Sequence, residues 1–244
     1  MSTSAYTSFA DMVPRVIKAC GNPTPPKGLC LSELITAAGA FCGKTGCWQE
    51  WLLPMPAVAG QVRYALTWAY DARIDGVSAV ALDGELQRTN WYTIEQASVI
   101  KFLPQRAPRV STSSVAFDAA ANYAANTLVL ADDSKYYRNP LAVTAGTWDP
   151  TEWVESEDGL HVQVVFVPTE GATTLPSWFY DRFADAIIAG AVCNIKSARG
   201  PYQDLATVRS WQVLWDSAVN DATVDTIMGD NDGVLTAQVQ GVVD

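Results

Sequence analysis

Two aspartates four positions apart are the residues of this sequence that most strongly suggest acid–base chemistry. Asp181 and Asp185 lie in the patterned segment Leu175 to Asp204, and this spacing places two carboxylates on one face of a helix. Phe179 and Phe183 mark the opposite, apolar face, so we expect both aspartates in solvent and not in the dry pocket that catalytic carboxylates need. Carboxylates near a helix N-terminus are favourable to the helix dipole and need no further role.

The other nucleophilic and titratable groups form no recognisable catalytic arrangement. No serine lies in a G-x-S-x-G turn, and the lone histidine, His161, lies within the alternating pattern HVQVVFV. A histidine in such a strand is more often a packing or surface residue than a general base. We therefore predict no catalytic residue. A small hydrolase that uses Cys193, Asp181 or Asp185 is the alternative from another functional class.

The triplet Gly43-Lys44-Thr45 suggests a phosphate-binding loop, but the loop's first glycine is missing. Such a loop needs a glycine five positions before the one that precedes the lysine, and that position is Ala38. The triplet also ends a predicted helix, where a phosphate-binding loop would follow a strand. A helix C-terminus explains it better, and no cofactor is expected.

The cysteines do not have the spacing of a metal site. Zinc sites usually recruit four Cys or His ligands at close spacings, and the five cysteines here are odd in number and lack a two-residue spacer. They are Cys20, Cys30, Cys42, Cys47 and Cys193. We predict free thiols in a reducing compartment and no bound metal.

The overall composition excludes several classes of partner. The 244 residues carry a net charge of −10, which disfavours tight binding to DNA or an anionic membrane through a broad basic face. No apolar run is long enough for a membrane span, and no secretory leader is recognisable, so we expect a protein made in the cytosol. Only 17% of residues are charged, while nine Trp and nine Tyr are present. This balance suits either buried protein interfaces or an aromatic-rich core.

Apolar residues recur with helical spacing near both ends of the chain. The predicted helices cover Ser8–Cys20, Leu31–Gly43, Leu175–Gly200 and Asp204–Ile227. Ser32 is the predicted N-cap of the second helix. The short break after Gly200 joins the last two helices as an antiparallel αα-hairpin.

The predicted αα-hairpin carries a continuous buried stripe. Its helix-packing residues are Phe179, Phe183, Ile187, Gly190, Trp211 and Trp215. Because a mid-helix glycine costs about 1 kcal/mol relative to alanine, Gly190 suggests that another backbone or side chain approaches closely there.

The middle of the chain has the period-two pattern of strands. Alternating segments occur in GQVRYALTW, ASVIKFLP, TLVLAD and GLHVQVVFVPT, and Asp83-Gly84 is a strong two-residue hairpin signal. The sequence therefore predicts an α+β fold. An α-helical bundle (N-terminal helices plus the C-terminal αα-hairpin) would occupy 1–50 and 171–229, and an inserted antiparallel β-sheet or sandwich domain would occupy 51–170.

The predicted extended C-terminal tail, 230–244, has a strand pattern without a hairpin partner. An orphan strand of this kind either completes the protein's own sheet or adds to the edge of another subunit. The residues that we predict to contact a partner are Val234, Leu235, Ala237, Val239 and Val243.

Several motifs occur in the order typical of one protein family. A helix ending in AGAFCGKTGCWQEW precedes the strand GQVRYAL and the hairpin VSAVALDGELQ. Further on, VVFVPTEGATTLPSWFYDRFADAIIAGAVCNIKSARGPYQD leads into the last helix. The matching positions are Ala37, Phe41, Cys42, Thr45, Trp48, Gly60, Tyr64, Asp83, Gly84, Leu86, Pro168, Thr169, Leu175, Pro176, Ala186, Ile187, Gly190, Pro201, Tyr202 and Ala206.

Over about two thirds of its length the chain resembles the head-to-tail adaptor (connector) proteins of tailed bacteriophages, similar to the tail tubular protein A group of short-tailed phages. The resemblance implies a non-enzymatic virion protein, assembled in the host cytoplasm as a homo-oligomeric ring of twelve subunits. It also implies contacts with the portal protein and the tail nozzle or next tail component, and a part of the DNA channel with transient, non-specific DNA contact. Another head-completion or tail-accessory phage protein is the alternative within this structural class.

Overall fold

The computed structural model describes residues 6–95 and 98–228. Its helices are α1 (Val13–Cys20), α2 (Lys27–Thr45), α3 (Ser177–Ser197) and α4 (Leu205–Met228). Its strands are β1 (Tyr6–Ser8), β2 (Gln49–Trp51), β3 (Arg63–Ala65), β4 (Ala72–Leu82), β5 (Glu85–Leu86), β6 (Tyr92–Glu95), β7 (Val99–Phe102), β8 (Val115–Ala116), β9 (Leu128–Leu130), β10 (Tyr136–Arg138), β11 (Val154–Glu155), β12 (Leu160–Pro168) and β13 (Thr174–Pro176).

Within the described ranges the strands form small sheets. Their strand orders are β1-β13, β2-β12-β4-β5, β3-β7-β6 and β11-β10-β9-β8. The β1–β13 pair is antiparallel and places Thr7 opposite Leu175, whereas β8 and β9 pair in parallel through Val115 and Val129. Most strands have only two to four residues, so no single large sheet dominates the fold.

The chain divides into two compact units. The first unit consists of Glu50–Trp68 and Gly76–Val164, and the second of the described residues within 2–49, 69–75 and 165–244. All four helices belong to the second unit, together with β1 and β13.

Helix α3 is the central element of the second unit. It begins directly after Pro176, whose fixed φ suits a helix start, and it contacts α1, α2 and α4. Phe179 and Ile187 are fully buried on it, and Phe183 is nearly so. The Phe41 ring of α2 lies 5.1 Å from that of Phe183, in a tilted arrangement.

Strand and loop residues complete the core of the second unit. The Trp48 ring, 1% exposed, lies 5.9 Å from the Phe179 ring of α3. Trp48 also contacts the ring of Phe166 in β12 at 5.5 Å and that of Tyr70 at 5.7 Å. The aromatic core therefore joins a helix to extended segments and is not made by helices alone.

Aromatic side chains pack in two places among the described residues of the first unit. In the β3-β7-β6 sheet, Tyr64 and Phe102 are buried and meet edge to face at 6.0 Å. A second cluster surrounds Trp153, which stacks on Trp148 with ring centroids 5.3 Å apart and packs on the Tyr123 ring.

The predicted fold class is wrong. The protein is a mixed α/β structure with four helices and several small, mostly antiparallel sheets over the described residues, and no separate helical bundle is evident. The physical reason is that the apolar face of α3 packs on Trp48 as well as on helices, and that β1 and β13 lie in the same unit as the helices. The β region is likewise not one antiparallel sandwich, because its strands are divided among several sheets and β8 pairs in parallel. The predicted C-terminal tail lies outside the described residues.

The second helix also begins earlier than predicted. Helix α2 starts at Lys27 after Pro26, so Ser32 is an internal residue and not an N-cap. The Ser32 carbonyl accepts a hydrogen bond from the Thr36 hydroxyl at 3.0 Å. The helix therefore starts after the Pro25-Pro26 pair and not after Ser32.

Candidate interaction surface

Helix α4 buries little of its own surface in the second unit. Trp215 and Ala222 are its buried residues, and both lie on one side. Six large apolar side chains of α4 are more than half exposed: Leu205, Val213, Leu214, Val224, Ile227 and Met228. Scattered exposed apolar residues are ordinary in proteins, but several on a single helix indicate an interaction surface.

The exposed residues of α4 include one regular row. We call this row the α4 outer face: Ala206, Ser210, Val213, Ser217, Asn220, Val224 and Ile227. All seven residues are exposed and uncharged. They recur at alternating intervals of four and three, the spacing by which one helix packs along another. The small residues in the row leave space for the side chains of a second helix.

Close packing on α3 fixes the position of α4. Gly190 of α3 faces the Trp215 ring of α4, and a Cβ atom added at Gly190 would lie 2.6 Å from Cε3 of that ring and 3.1 Å from Ala37 Cβ. Only glycine fits this contact. Trp215 also lies 5.6 Å from the Phe41 ring, so α2, α3 and α4 meet at this point.

An ion-pair network holds the start of α4. The ammonium group of Lys196, on α3, donates to Asp204 Oδ2 at 3.1 Å and to Thr207 Oγ1 at 3.0 Å. The Thr207 hydroxyl donates to the same carboxylate at 2.7 Å. Hydrogen bonds from Thr207 and from Lys196 hold the pKa of Asp204 below its usual value. Because Lys196 is only 6% exposed, this pair fixes the turn between the two helices.

A groove runs beside α4 on the side of α1. We call it the α1–α4 groove; its volume is about 630 Å³. Its lining residues are Arg15, Lys18, Ala19, Asp185, Ala186, Ile188, Trp211, Leu214 and Ala218. Six of these nine residues are apolar, and the charged residues lie on α1 and at Asp185 of α3.

The two cations of this groove differ in their pairing. Arg15 forms an ion pair with Asp185 across α1 and α3. Lys18 is exposed and takes part in none of the ion pairs formed among residues 6–95 and 98–228. Within the described part of the chain, the groove is therefore lined mainly by apolar side chains, and Lys18 is a lining cation without an ion pair.

The predicted helix-packing residues lie at the junction of α2, α3 and α4 or next to it. Phe179, Phe183, Ile187, Gly190 and Trp215 are buried, whereas Trp211 is half-buried and lines the α1–α4 groove. The predicted partner residues Val234, Leu235, Ala237, Val239 and Val243 lie outside the described residues.

The residues that suggested catalysis are not brought into a shared site. Asp181 is exposed, and the carboxylate of Asp185 forms an ion pair with Arg15. Burial, together with the nearby charge of Asp216, raises the pKa of the Cys193 thiol, which makes it a weaker nucleophile. The His161 Nε2 atom lies 3.1 Å from the backbone oxygen of Asp158. None of these contacts forms a pair of nucleophile and base.

Cys42 and Cys47 are both buried and interact with each other. Burial, and then the hydrogen bond to Cys47, raises the pKa of the Cys42 thiol, while the same hydrogen bond lowers that of Cys47. No group of three or more His, Cys, Asp or Glu residues suitable for a metal ion occurs in the described part of the chain. Each of these two thiols is at most 1% exposed, so neither is accessible to a substrate.

A second, polar pocket of about 470 Å³ lies in the first unit and includes Asp83, Arg138 and Asp158. Its charged groups are paired. Arg138 donates to Asp158 Oδ2 at 2.7 Å, and the Gly159 amide donates to Asp83 Oδ1 at 2.9 Å. Burial acts to raise the pKa of Asp158, but hydrogen bonds from Ser156 and Arg138 outweigh it and leave that pKa below its usual value. The three charged residues of this pocket therefore have hydrogen-bond partners within the first unit.

No protein-family model and no curated protein sequence matches the chain. Among the residues that the structure describes, no helix has both the length and the apolar character required to cross a membrane. The interaction surface must therefore be interpreted from its own geometry.

Sequence reasoning did not identify the α4 outer face. The stripe of Trp211 and Trp215 indicates only the buried side of α4, and the α4 outer face lies on the opposite side. The signal was nevertheless present, since Val213 and Val224 are eleven positions apart and have no charged residue between them in their row. The sequence does not indicate that Lys18 and Arg15 lie beside α4, because their position there depends on the tertiary fold.

Proposed function

We propose that the protein is a non-enzymatic structural component of a tailed-bacteriophage virion. In this proposal it is a head-to-tail adaptor that forms an oligomeric ring between portal and tail and lines part of the DNA channel. The observation that carries the proposal is the α4 outer face, an exposed and uncharged row with the spacing of a helix–helix contact. Such a face in a chain with a net charge of −10 is suited to burial against another protein.

The charge of the chain supports the channel role. An acidic wall repels the phosphate backbone, so DNA would pass without being retained. The motif order described above connects these properties to the adaptor family.

The assembly role is tested with the purified full chain and the portal protein encoded in the same genome. Light scattering and negative-stain electron microscopy should detect rings, either of the chain alone or after the portal is added. Val213→Asp combined with Val224→Asp should abolish ring formation, because both substitutions would bury unpaired carboxylates in the contact.

Val110→Asp is the matched control, because Val110 is 72% exposed and lies in the first unit. Rings should form normally with this variant. Monomers that persist with the portal present would contradict the proposal. Binding to a tail component alone would favour the alternative of a head-completion or tail-accessory protein.

A further inference from the structure

Two arginines of the first unit share the ring of Trp91. The guanidinium carbon of Arg106 lies 3.9 Å from the ring centroid, and that of Arg88 lies 5.6 Å from it. We call these three residues the arginine patch. The two guanidinium carbons are at most 9.5 Å apart, the sum of these distances. Charges this close repel each other at moderate salt, and an anion that contacts both would remove the repulsion.

Backbone hydrogen bonds hold the arginine patch together. The Trp91 amide donates to the Arg88 carbonyl at 2.9 Å, within a short turn that precedes β6. The amide of Leu103, directly after β7, donates to the Trp91 carbonyl at 2.9 Å, and the Arg106 amide donates to the Leu103 carbonyl at 2.8 Å. Both arginines are thus attached to the paired strands β6 and β7. A site that is ordered in advance loses less conformational entropy when it binds a ligand.

Neither arginine of the patch has a counter-charge in the described part of the chain. Arg88 and Arg106 are exposed and form none of the ion pairs among residues 6–95 and 98–228. Two other arginines of the first unit, Arg63 and Arg138, do form such pairs. A guanidinium that stacks on an aromatic ring keeps the N–H donors at its edge, where they can bind a phosphate through two parallel hydrogen bonds.

The sequence around the patch is depleted of acidic residues. Between positions 86 and 117 the one carboxylate is Glu95, against four Lys or Arg residues. Glu95 is itself paired with Lys101. The segment therefore has three more cations than anions, in a chain whose net charge is −10. Such a local excess of positive charge attracts a polyanion to this part of the surface.

The neutral residues beside the patch favour phosphate over the carboxylates of another protein. Thr89, Asn90 and Gln105 are neighbours of the two arginines in the chain and are exposed. Side chains of these types commonly donate hydrogen bonds to the phosphate oxygens of nucleic acids. Charged residues, in contrast, are depleted at the centres of protein interfaces.

We propose that the arginine patch binds the phosphodiester backbone of duplex DNA through Arg88 and Arg106, with Trp91 as a positioning residue. This inference deepens the proposed function, and it rests on that function for the choice of duplex DNA as the nucleic acid. Contacts with phosphates carry no sequence information. Binding should be weak and sensitive to salt, because two cations take part and the chain as a whole is acidic.

Fluorescence anisotropy of a labelled DNA duplex with the full chain tests this proposal, at salt concentrations from about 50 to 200 mM. Arg88→Ala and Arg106→Ala should each lower the affinity about tenfold at the lowest salt concentration. In each variant the loss of affinity over this salt range should also be about 3.5-fold smaller than in the native chain. One phosphate contact contributes about 0.9 to the slope of log K against log salt, which accounts for this factor.

Arg199→Ala is the matched control, because Arg199 is an exposed arginine of the second unit and its loss changes the net charge equally. Affinity and salt slope should match those of the native chain. Trp91→Leu tests the positioning role. Its affinity should fall while its salt slope stays the same, since both arginines remain but lose the ring that holds them. Unchanged affinity in Trp91→Leu would contradict this role.

Three results would overturn the proposal. The first is a native chain that does not bind the duplex at the lowest salt concentration. The second is equal weakening by Arg199→Ala and Arg106→Ala, which would assign the binding to overall charge. The third is tighter binding of polyglutamate or of single-stranded RNA than of the duplex, which would assign the patch to an acidic protein or to RNA.

Ring formation by the same variants separates this inference from the proposed function. Rings that form normally while the duplex is not bound would overturn the inference alone. Duplex binding that depends on Arg88 and Arg106, in a chain that forms no ring with the portal, would overturn the proposed function alone.

Discussion

The Trp215 ring of α4 rests directly on the backbone of Gly190 in α3. Alanine at position 190 would gain about 1 kcal/mol of helix propensity. Its Cβ atom, however, would lie 2.6 Å from Cε3 of the ring and 3.1 Å from Ala37 Cβ, and overpacking of this kind costs about 1–3 kcal/mol. We expect Gly190→Ala to lower the free energy of unfolding, measured by urea denaturation.

Gly43→Ala is the control for this prediction. Gly43 lies in α2 with no heavy atom within 4 Å of an added Cβ, so the substitution should be neutral or stabilise by up to about 1 kcal/mol. Equal behaviour of the two variants would show that the contact between Gly190 and Trp215 does not constrain α3 and α4.

The carboxylate of Asp204 should make stability depend on pH. Hydrogen bonds from Thr207 and Lys196 hold its folded-state pKa below the usual 3.8. Its contribution is therefore fully present above that usual value and is lost as the pH falls through the lower, folded-state pKa. The urea midpoints of the native chain and of Asp204→Asn should differ at neutral pH and converge in acid. Asp221→Asn, at an exposed position on α4, is the control, and its urea midpoint should follow that of the native chain at all pH values. A difference in urea midpoint between Asp204→Asn and the native chain that stays the same at every pH would contradict this prediction.

The thiols should react slowly in the folded protein. Burial, with the neighbouring Cys30, raises the pKa of Cys20 to about 11, and burial also raises that of Cys193. Cys47 has a lowered pKa, but it is shielded from solvent. A thiol-reactive dye at neutral pH should label little of the folded chain and all five cysteines in guanidinium. Rapid labelling of Cys193 in the folded state would support the hydrolase alternative.

The hairpin between β4 and β5 requires glycine at its second turn position. Asp83 and Gly84 have φ values of 51° and 80°, a left-handed conformation that costs a residue with a Cβ atom about 1–2 kcal/mol. Gly84→Ala should therefore lower stability by about that amount in thermal unfolding. Asp83→Asn should be nearly neutral, since asparagine tolerates this conformation and retains an acceptor for the Gly159 amide. A larger loss for Asp83→Asn than for Gly84→Ala would contradict this account.

Local features of this fold could be predicted from the sequence, and long-range ones could not. The Asp83-Gly84 turn and the buried face of Phe179 follow from neighbouring residues. The pairing of Thr7 with Leu175 joins positions far apart in the chain, and no periodicity shows which strands will pair. The predicted fold class was wrong because the residues that cover α3 come from extended segments as well as from helices.

The same limit applies to the interaction surface. Spacing alone could have identified the α4 outer face, but the position of Lys18 beside Leu214 depends on how α1 and α4 pack on α3. Charges that face each other across a groove from distant parts of the chain have no signature in sequence.

The alternating intervals of the α4 outer face determine how a partner helix would lie against it. A row repeating every seven residues falls short of two full turns of a straight helix by about 20°. The row from Ala206 to Ile227 therefore winds slowly around α4, and a partner that follows it must wind in the same left-handed sense. We expect a shallow crossing angle of about +20° between the two axes, and not the steep angle of about −50° that is commonest in globular proteins.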